Sequence, residues 1–300
     1  MMKKETPEKK ALKIAVVVAV LLLAIVAFEK LLVKDLISEL GQGKRPKDAK
    51  KELRELIDEE PDNIKAKGWL LRLYVEDREL KEADPLLSYL LIKAPDSYLT
   101  QFGACKYNLI KKRERKAVEH CKKALELSER SATDLNNLAA AYLYQDEYVK
   151  ATELLGEAAA KDPRNENVLN NLGFAYRERK LYKEAEENLK KALELDPQFT
   201  AARKNLAQLY FQTEQTDKCI AEIKKVLKNN PDDYKSMLIL AVVYVKFKDD
   251  LESAKKYARK SLQIKETKKG EELLTHIRRY EAAMKAEGNS MGTCAPSSGD

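Results

Sequence analysis

The sequence predicts an all-α protein, a solenoid of stacked antiparallel helix pairs behind an N-terminal transmembrane helix. Three observations predict this class. One motif recurs every 34 residues along most of the chain, Gly and Pro number only 10 and 9, and one long apolar run lies near the start. Repeat arrays grow without a single central core, so the 300 residues need not divide into ordinary globular domains.

The apolar run is "IAVVVAVLLLAIVAF", residues 14–28, and "LLV" at 31–33 extends it. Fifteen helical residues span roughly 22 Å, and the extension approaches the roughly 30 Å of a bilayer core. We therefore predict a transmembrane signal anchor over residues 14–33, preceded by a short basic cytoplasmic tail, residues 1–13.

A secretory signal peptide cleaved after Ala27 is the alternative to this anchor. Ile25 is a poor residue for the cleavage site, and we favour the uncleaved anchor. Lysine counts on the two sides of the run are nearly equal, but those before it are packed into a short tail that is costly to move across an energised membrane. We expect the array on the exported, periplasmic side of a bacterial inner membrane.

The 34-residue register aligns four columns of residues. The Pro column is Pro61, Pro95, Pro163, Pro197 and Pro231. The Tyr column is Tyr74, Tyr142, Tyr176, Tyr210 and Tyr244. The small-residue column is Ala49, Ala83, Ala117, Ala151, Ala185 and Cys219. The apolar column is Leu53, Leu87, Cys121, Leu155, Leu189 and Ile223.

The spacing of these columns predicts two amphipathic helices in each unit. The apolar positions lie on one stripe of each helix, a short polar turn separates the two, and the Pro ends the second helix. Residues 166–199 carry the most complete pattern, with Leu169, Leu172, Gly173, Tyr176, Ala185, Leu189, Ala192 and Pro197.

This pattern resembles the tetratricopeptide repeat, a helix–turn–helix unit of the same length. The resemblance implies a right-handed superhelical solenoid whose concave groove is lined by the first helices of the units. It also implies a role in binding a protein or peptide segment.

The resemblance covers residues 30–267. It gives a partial repeat at 30–63, repeats at 64–97, 98–131, 132–165, 166–199 and 200–233, and a divergent repeat at 234–267. The divergent unit needs one inserted residue near "KDDLE" (248–252). We expect the transmembrane helix to run into the partial repeat, a capping helix over residues 268–287 and a disordered tail over residues 288–300.

The sequence offers little for catalysis. It has two His, no Cys pair at metal-ligand spacing, no phosphate-binding Gly loop and no nucleophile motif. Beyond the N-terminal tail, acidic residues are interleaved with the basic ones, unlike the clustered basic footprint of a nucleic-acid binder. We expect no enzyme activity, cofactor, metal, nucleic acid or small-molecule substrate, with an inert accessory subunit of an enzyme left open.

By family register, three rows of first-helix residues are expected to line the protein-binding groove. The first row is Phe102, Asn136, Asn170 and Lys204. The second row is Lys106, Ala140, Phe174 and Gln208. The third row is Leu109, Leu143, Arg177 and Phe211, with Tyr144 beside it. Amides in these rows can hydrogen-bond a peptide backbone, while the rings and leucines can take apolar side chains.

Some family members grip chaperone C termini with a Lys–Asn, Asn, Lys–Arg constellation on successive first helices. Of that constellation only Asn171 is present here at the corresponding positions, which argues against a chaperone co-factor. Cys105 and Cys121 lie in the two helices of one unit. They are a possible disulfide of an exported protein or two small buried residues, and we favour the second interpretation.

Together these features predict a membrane-anchored scaffold, an envelope assembly or translocation-associated factor. A secreted soluble repeat protein and a cytosol-facing receptor of the import type stay open as alternatives.

Overall fold

The computed structural model describes residues 39–40 and 48–291, with side chains up to Met284. The predicted basic tail (1–13), the transmembrane helix (14–33) with its run into the partial repeat, and the end of the tail (292–300) lie outside these residues. All regular secondary structure in the described part is helical. No helix in that part is long and apolar enough to cross a membrane.

The chain forms two compact units, Met1–Tyr144 and Gln145–Asp300. The helices of the first unit are α1 Ala49–Glu59, α2 Ile64–Glu76, α3 Leu80–Lys93, α4 Tyr98–Ile110, α5 Glu114–Glu126 and α6 Ala132–Leu143. Those of the second are α7 Tyr148–Lys161, α8 Glu166–Glu178, α9 Tyr182–Leu195, α10 Thr200–Gln212, α11 Thr216–Asn229, α12 Tyr234–Val243, α13 Leu251–Ile264 and α14 Lys268–Met291. Within each unit, consecutive helices pack as antiparallel neighbours.

The turn between the first and second helix of a repeat contains one left-handed residue. In the turn from α8 to α9, Lys180 has a φ of 62° and the N–H of Leu181 donates to Tyr176 O at 2.9 Å. This is a Schellman ending, in which the left-handed residue reverses the chain and satisfies the last carbonyls of the helix. The same conformation recurs at 34-residue intervals, at Arg78, Lys112, Asp146, Lys180 and Glu214.

The two helices of a repeat approach closely because small residues face each other. Ala185 and Leu189 of α9 have no exposed surface, and Gly173 of α8 lies against them. A Cβ added to Gly173 would lie 2.6 Å from Leu189 Cγ and 3.2 Å from Ala185 O. The spacing between α8 and α9 therefore leaves no room for a side chain at position 173.

Buried tyrosines connect neighbouring helices through their hydroxyl groups. The hydroxyl of Tyr210 on α10 donates to Glu186 Oε1 on α9 at 2.9 Å. Burial and this carboxylate hold the pKa of Tyr210 above its ordinary value. In the first unit the Tyr74 hydroxyl accepts from Arg54 Nε at 2.8 Å. The Tyr column thus supplies both apolar packing and a hydrogen bond.

The inserted residue of the divergent repeat is accommodated by a π-helical segment. This segment, Tyr244–Lys248, continues directly from α12. Asp249 follows with a φ of 49°, one residue later than the regular spacing from Glu214 would place the left-handed turn. Ala254 is then fully buried at the small-residue position of α13. A single wide turn therefore absorbs the insertion and restores the register.

The last helix, α14, covers the end of the second unit. Ile277 is fully buried and clusters with Ala254 and Ala258 of α13. Lys255 Nζ pairs with Glu281 Oε2 at 3.1 Å across the two helices. The helix extends to Met291, so residues 288–291 are helical and not part of a disordered tail, because adding a turn to an existing helix is easier than starting one.

We expect the substitution Gly173→Ala to lower the free energy of unfolding. Overpacking of a close contact costs about 1–3 kcal/mol, against which the better helix propensity of Ala returns up to about 1 kcal/mol. Chemical denaturation of the full chain, followed by circular dichroism, measures the change.

Gly156→Ala is the matched control. Gly156 lies inside α7, and a Cβ added there would meet nothing within 4 Å. This variant should gain about 0.5–1 kcal/mol from helix propensity alone. Equal stabilities of the two variants would contradict the close packing at position 173.

Candidate functional site

In the first unit, two of the predicted groove residues on α4 lie in the core. Phe102 is 1% exposed and Leu109 is 8% exposed. The guanidinium group of Arg72 lies 4.7 Å from the centre of the Phe102 ring. Because α4 packs against α2, these two side chains stabilise the helix pair and are not placed to contact a ligand.

The other predicted positions in this unit retain exposed surface. Lys106, Asn136 and Leu143 are half-buried, and Tyr144 is 44% exposed. Burial lowers the pKa of the Lys106 ammonium group. The second unit places predicted groove residues beside an apolar cavity.

In the second unit, a chain of amides crosses from one first helix to the next. Asn205 Nδ2 of α10 donates to Asn170 Oδ1 of α8 at 2.8 Å. Asn170 Nδ2 in turn donates to Asn171 Oδ1 at 3.2 Å. Asn170 is only 8% exposed, so it holds α8 against α10 and offers little surface to a ligand. Asn171 and Asn205 stay half-buried.

Phe174 is half-buried on α8 and is supported from two sides. The Arg177 guanidinium lies 4.8 Å from its ring centre, and the Tyr148 ring packs edge-on at 6.4 Å. Arg177 is 6% exposed, and its Nε donates to Glu178 Oε1 at 3.0 Å. This paired guanidinium group positions the Phe174 ring and is not a free donor for a ligand, contrary to its place in the predicted rows.

Lys204 on α10 forms an ion pair with Asp233 at the start of α12. Asp233 also accepts from the N–H of Ser236 at 3.3 Å and so caps α12. Burial acts to raise the pKa of Asp233, but the Lys204 ammonium group and Ser236 outweigh it and hold this pKa below its ordinary value. Lys204 therefore has a structural partner and is largely neutralised.

Phe211 forms an aromatic pair with Phe247 of the π-helical segment. The ring centres lie 5.5 Å apart in an edge-to-face arrangement. Lys246 Nζ lies 5.3 Å from the Phe211 ring centre and 4.7 Å from that of Phe247. This pair of rings brings a lysine to the end of α10.

Beside this pair lies a cavity of about 280 Å³ between α10, α12 and α14. Its apolar lining is Phe211, Leu238, Ile239, Val242 and Leu273. Its two polar lining residues are Gln208 and Lys269. We call the exposed side of α8, α10 and α12, together with this cavity, the first-helix face. It combines partly exposed rings, amides and an apolar recess.

Sequence reasoning placed Gln208 and Phe211 at this surface but missed the remaining lining residues. Leu238 and Val242 lie one repeat after Lys204 and Gln208, so the register would have found them had the rows been continued into the divergent unit. Phe247, which packs against Phe211 without lining the cavity, is placed there by the insertion, and Lys269 and Leu273 belong to the capping helix. These three follow no column of the repeat.

Cys105 and Cys121 are joined by a disulfide between α4 and α5, where the sequence had favoured two separate buried thiols. Cys219 is a free, fully buried thiol, and burial raises its pKa to about 11. Across the described residues, no group of His, Cys, Asp or Glu is arranged to hold a metal ion.

Three family models described as tetratricopeptide repeat match the sequence, over residues 136–198, 176–241 and 234–268. A search of curated proteins gives no match.

Solved structures share the fold at low sequence identity. A chain of the APC/C hetero-tetramer Cut9-Hcn1 is similar with a TM-score of 0.69 at 18% identity, over 77% of this chain and 46% of that chain. The present chain therefore spans less than half of the length of that relative. PilW, described as a widely conserved type IV pilus biogenesis factor, is similar with a TM-score of 0.62 at 20% identity, over 71% of this chain and 99% of the PilW chain. The protein pilF of Pseudomonas aeruginosa is similar with a TM-score of 0.57 at 21% identity, over 72% of this chain and 97% of that chain.

We expect Asp233→Asn to lower stability at neutral pH, because Asn keeps the helix cap but loses the ion pair with Lys204. The loss should be about 1 kcal/mol. Since folding depresses the pKa of Asp233, the contribution of its charge is present above the ordinary value of about 3.9 and is lost as pH falls through the depressed value.

Chemical denaturation of both proteins between pH 7 and pH 2 measures this dependence. The difference in free energy of unfolding should shrink as the pH falls below about 4. A difference that stays constant down to pH 2 would contradict the role of the Asp233 charge.

Proposed function

We propose that this chain, in which residues 136–268 are tetratricopeptide repeats, is a non-catalytic scaffold that binds a protein or peptide segment on its first-helix face. We further propose that residues 14–33 anchor it in a bacterial inner membrane with the array on the exported side. There it would recruit its partner as an envelope assembly or translocation-associated factor.

The binding part of this proposal is carried by one observation, the first-helix face itself. Phe174 and Phe211 are half-buried rings on consecutive first helices, and the second of them lines the apolar cavity. Partly exposed aromatic rings beside an apolar recess are typical of protein interaction sites. The half-buried amides of Asn171, Asn205 and Gln208 are suited to a peptide backbone.

The assembly part of the proposal takes its direction from PilW. That protein is a type IV pilus biogenesis factor, and almost all of its length is covered by the likeness to this chain. At 20% identity the likeness concerns the fold, so the assembly role is proposed for this chain and needs its own test.

The anchoring part rests on the apolar run at 14–28 and its extension to residue 33. The basic residues before the run favour a cytoplasmic tail. The disulfide between Cys105 and Cys121 supports an array outside the cytoplasm, because disulfides persist in oxidising compartments and are rare in the cytosol.

Two alternatives keep the binding site but change its location. Cleavage after Ala27 would release a soluble secreted array, and a mature N terminus at Phe28 would reveal it. The reverse orientation would give a cytosol-facing receptor of the import type, for which the disulfide between Cys105 and Cys121 would be an exception.

We expect the double substitution Phe174→Ala and Phe211→Ala to abolish partner capture while the array stays folded. An aromatic ring at the centre of an interface contributes about 2 kcal/mol or more, so losing two should weaken binding at least about 100-fold. Crosslinking in intact cells followed by affinity purification and quantitative mass spectrometry compares the variant with the wild-type chain.

The matched control is Val149→Ala with Leu195→Ala. These two side chains are 56% and 36% exposed and lie on the second helices α7 and α9. The control should retain the wild-type partners. If the Phe174 and Phe211 variant keeps its circular dichroism spectrum and still captures the wild-type partners, the binding proposal is wrong.

The topology is tested by labelling Cys294 with a membrane-impermeant maleimide in intact cells whose outer membrane has been permeabilised. We expect labelling before lysis if the array is exported. Cys219 should stay unlabelled in the folded chain, because burial raises the pKa of its thiol to about 11 and leaves almost no thiolate at neutral pH.

The variant Cys294→Ala controls for labelling at any other thiol. A shift of the non-reduced chain on a gel after reduction would report the Cys105–Cys121 disulfide in the same cells. Labelling of Cys294 only after lysis would refute the exported orientation and leave the binding proposal untouched.

A further inference from the structure

We propose that the cavity between α10, α12 and α14 binds one bulky apolar side chain of a peptide segment whose neighbouring residues are acidic. The proposal rests on the proposed function and adds the chemistry of the partner. It draws on three properties of the site, namely the size of the recess, the lysines at its rim and the amides beside it.

The cavity has room for a bulky apolar side chain. Its volume of about 280 Å³ lies just below the range of about 300–1,000 Å³ of pockets for drug-sized ligands. Its lining is apolar except for Gln208 and Lys269. A Leu, Ile or Phe side chain that leaves water for this recess would tighten binding by roughly 10- to 100-fold.

The rim of the cavity is positive. Lys269 belongs to the lining, and Lys246 Nζ lies 5.3 Å from the centre of the Phe211 ring that forms one wall. Among the described residues, neither ammonium group forms an ion pair with a carboxylate. Lys204, farther along the same face, is already paired with Asp233. These two ammonium groups favour acidic residues beside the bound apolar group.

The amides favour a peptide over a free fatty acid. Gln208 lies at the cavity, and Asn205 continues the line of amides toward α8. Side-chain amides can hydrogen-bond the N–H and C=O groups of an extended backbone. The tail of a fatty acid offers no polar group to these amides.

The end of this chain does not supply the occupant. Residues 292–300 are "GTCAPSSGD" and contain no bulky apolar side chain. The occupant that the apolar recess and the two lysines fit is a segment of another protein, with an apolar residue flanked by Asp or Glu.

The test uses the full chain in detergent and three fluorescein-labelled nine-residue peptides in fluorescence polarisation titrations. The first has a central Phe flanked by two Glu on each side and Gly–Ser ends, the second has Ala in place of the Phe, and the third has Lys in place of every Glu. We expect the first to bind at least about tenfold more tightly than either of the others, and to weaken with added salt.

Two kinds of variant locate the binding. Val242→Phe adds a ring to the wall of the cavity and should weaken binding of the Phe peptide at least about tenfold. Lys246→Glu with Lys269→Glu should reverse the charge preference, so that the Lys-flanked Phe peptide becomes the tighter ligand. That exchange cannot arise from unfolding. Lys224→Glu, at an exposed position on α11, is the matched control and should change nothing.

Several results would overturn the proposal. They are equal binding of the Phe and Ala peptides, no reversal in the charge variants, and binding of dodecanoate at the cavity without any peptide binding. Self-association that Val242→Phe removes would instead assign the cavity to a second copy of this chain and equally overturn it.

The proposed function and this inference fail separately. Partner capture that depends on Phe174 and Phe211, combined with no peptide selectivity, would keep the function and remove the inference. Selective peptide binding at the cavity without capture of any partner in cells would keep the peptide chemistry of the cavity and remove the proposed scaffold function.

Discussion

The structure depends on the close approach of the two helices within each repeat. Ala185 and Gly173 permit this approach, and Leu189 fills the space that remains between them. Once the pair is that close, the polar turn must reverse the chain within a few residues, which the left-handed residue achieves. The packed pair then presents one apolar side to the next pair, so that each repeat is stabilised mainly by its immediate neighbours.

This constraint explains how much of the fold the sequence could predict. The small and apolar columns encode helix packing directly, so the helix pairs follow from the spacing. The left-handed turns could not be predicted in the same way, because Arg, Lys, Asp and Glu occupy them where Gly is usual. Their conformation is imposed by the packing of the helices on either side and leaves no local signature in the sequence.

The candidate site was less predictable than the fold. Register identifies which side of a first helix a residue lies on, but it does not reveal what packs over it. Phe102 is covered by Arg72, and Arg177 is held by Glu178, whereas Phe174 and Phe211 keep exposed ring surface. The capping helix lines one side of the cavity and Phe247 of the π-helical segment packs against its Phe211 wall, and neither element belongs to the repeating pattern.

The π-helical segment also bears on how such arrays acquire new surfaces. Its extra residue places Phe247 against Phe211, while Ala254 and Ala258 downstream remain fully buried. The insertion thus places an aromatic ring on the first-helix face without disturbing the framework around it. In a chain assembled from copies of one unit, a local expansion of this kind makes one repeat differ from the others. It lets one repeat present a different surface while the others preserve the architecture.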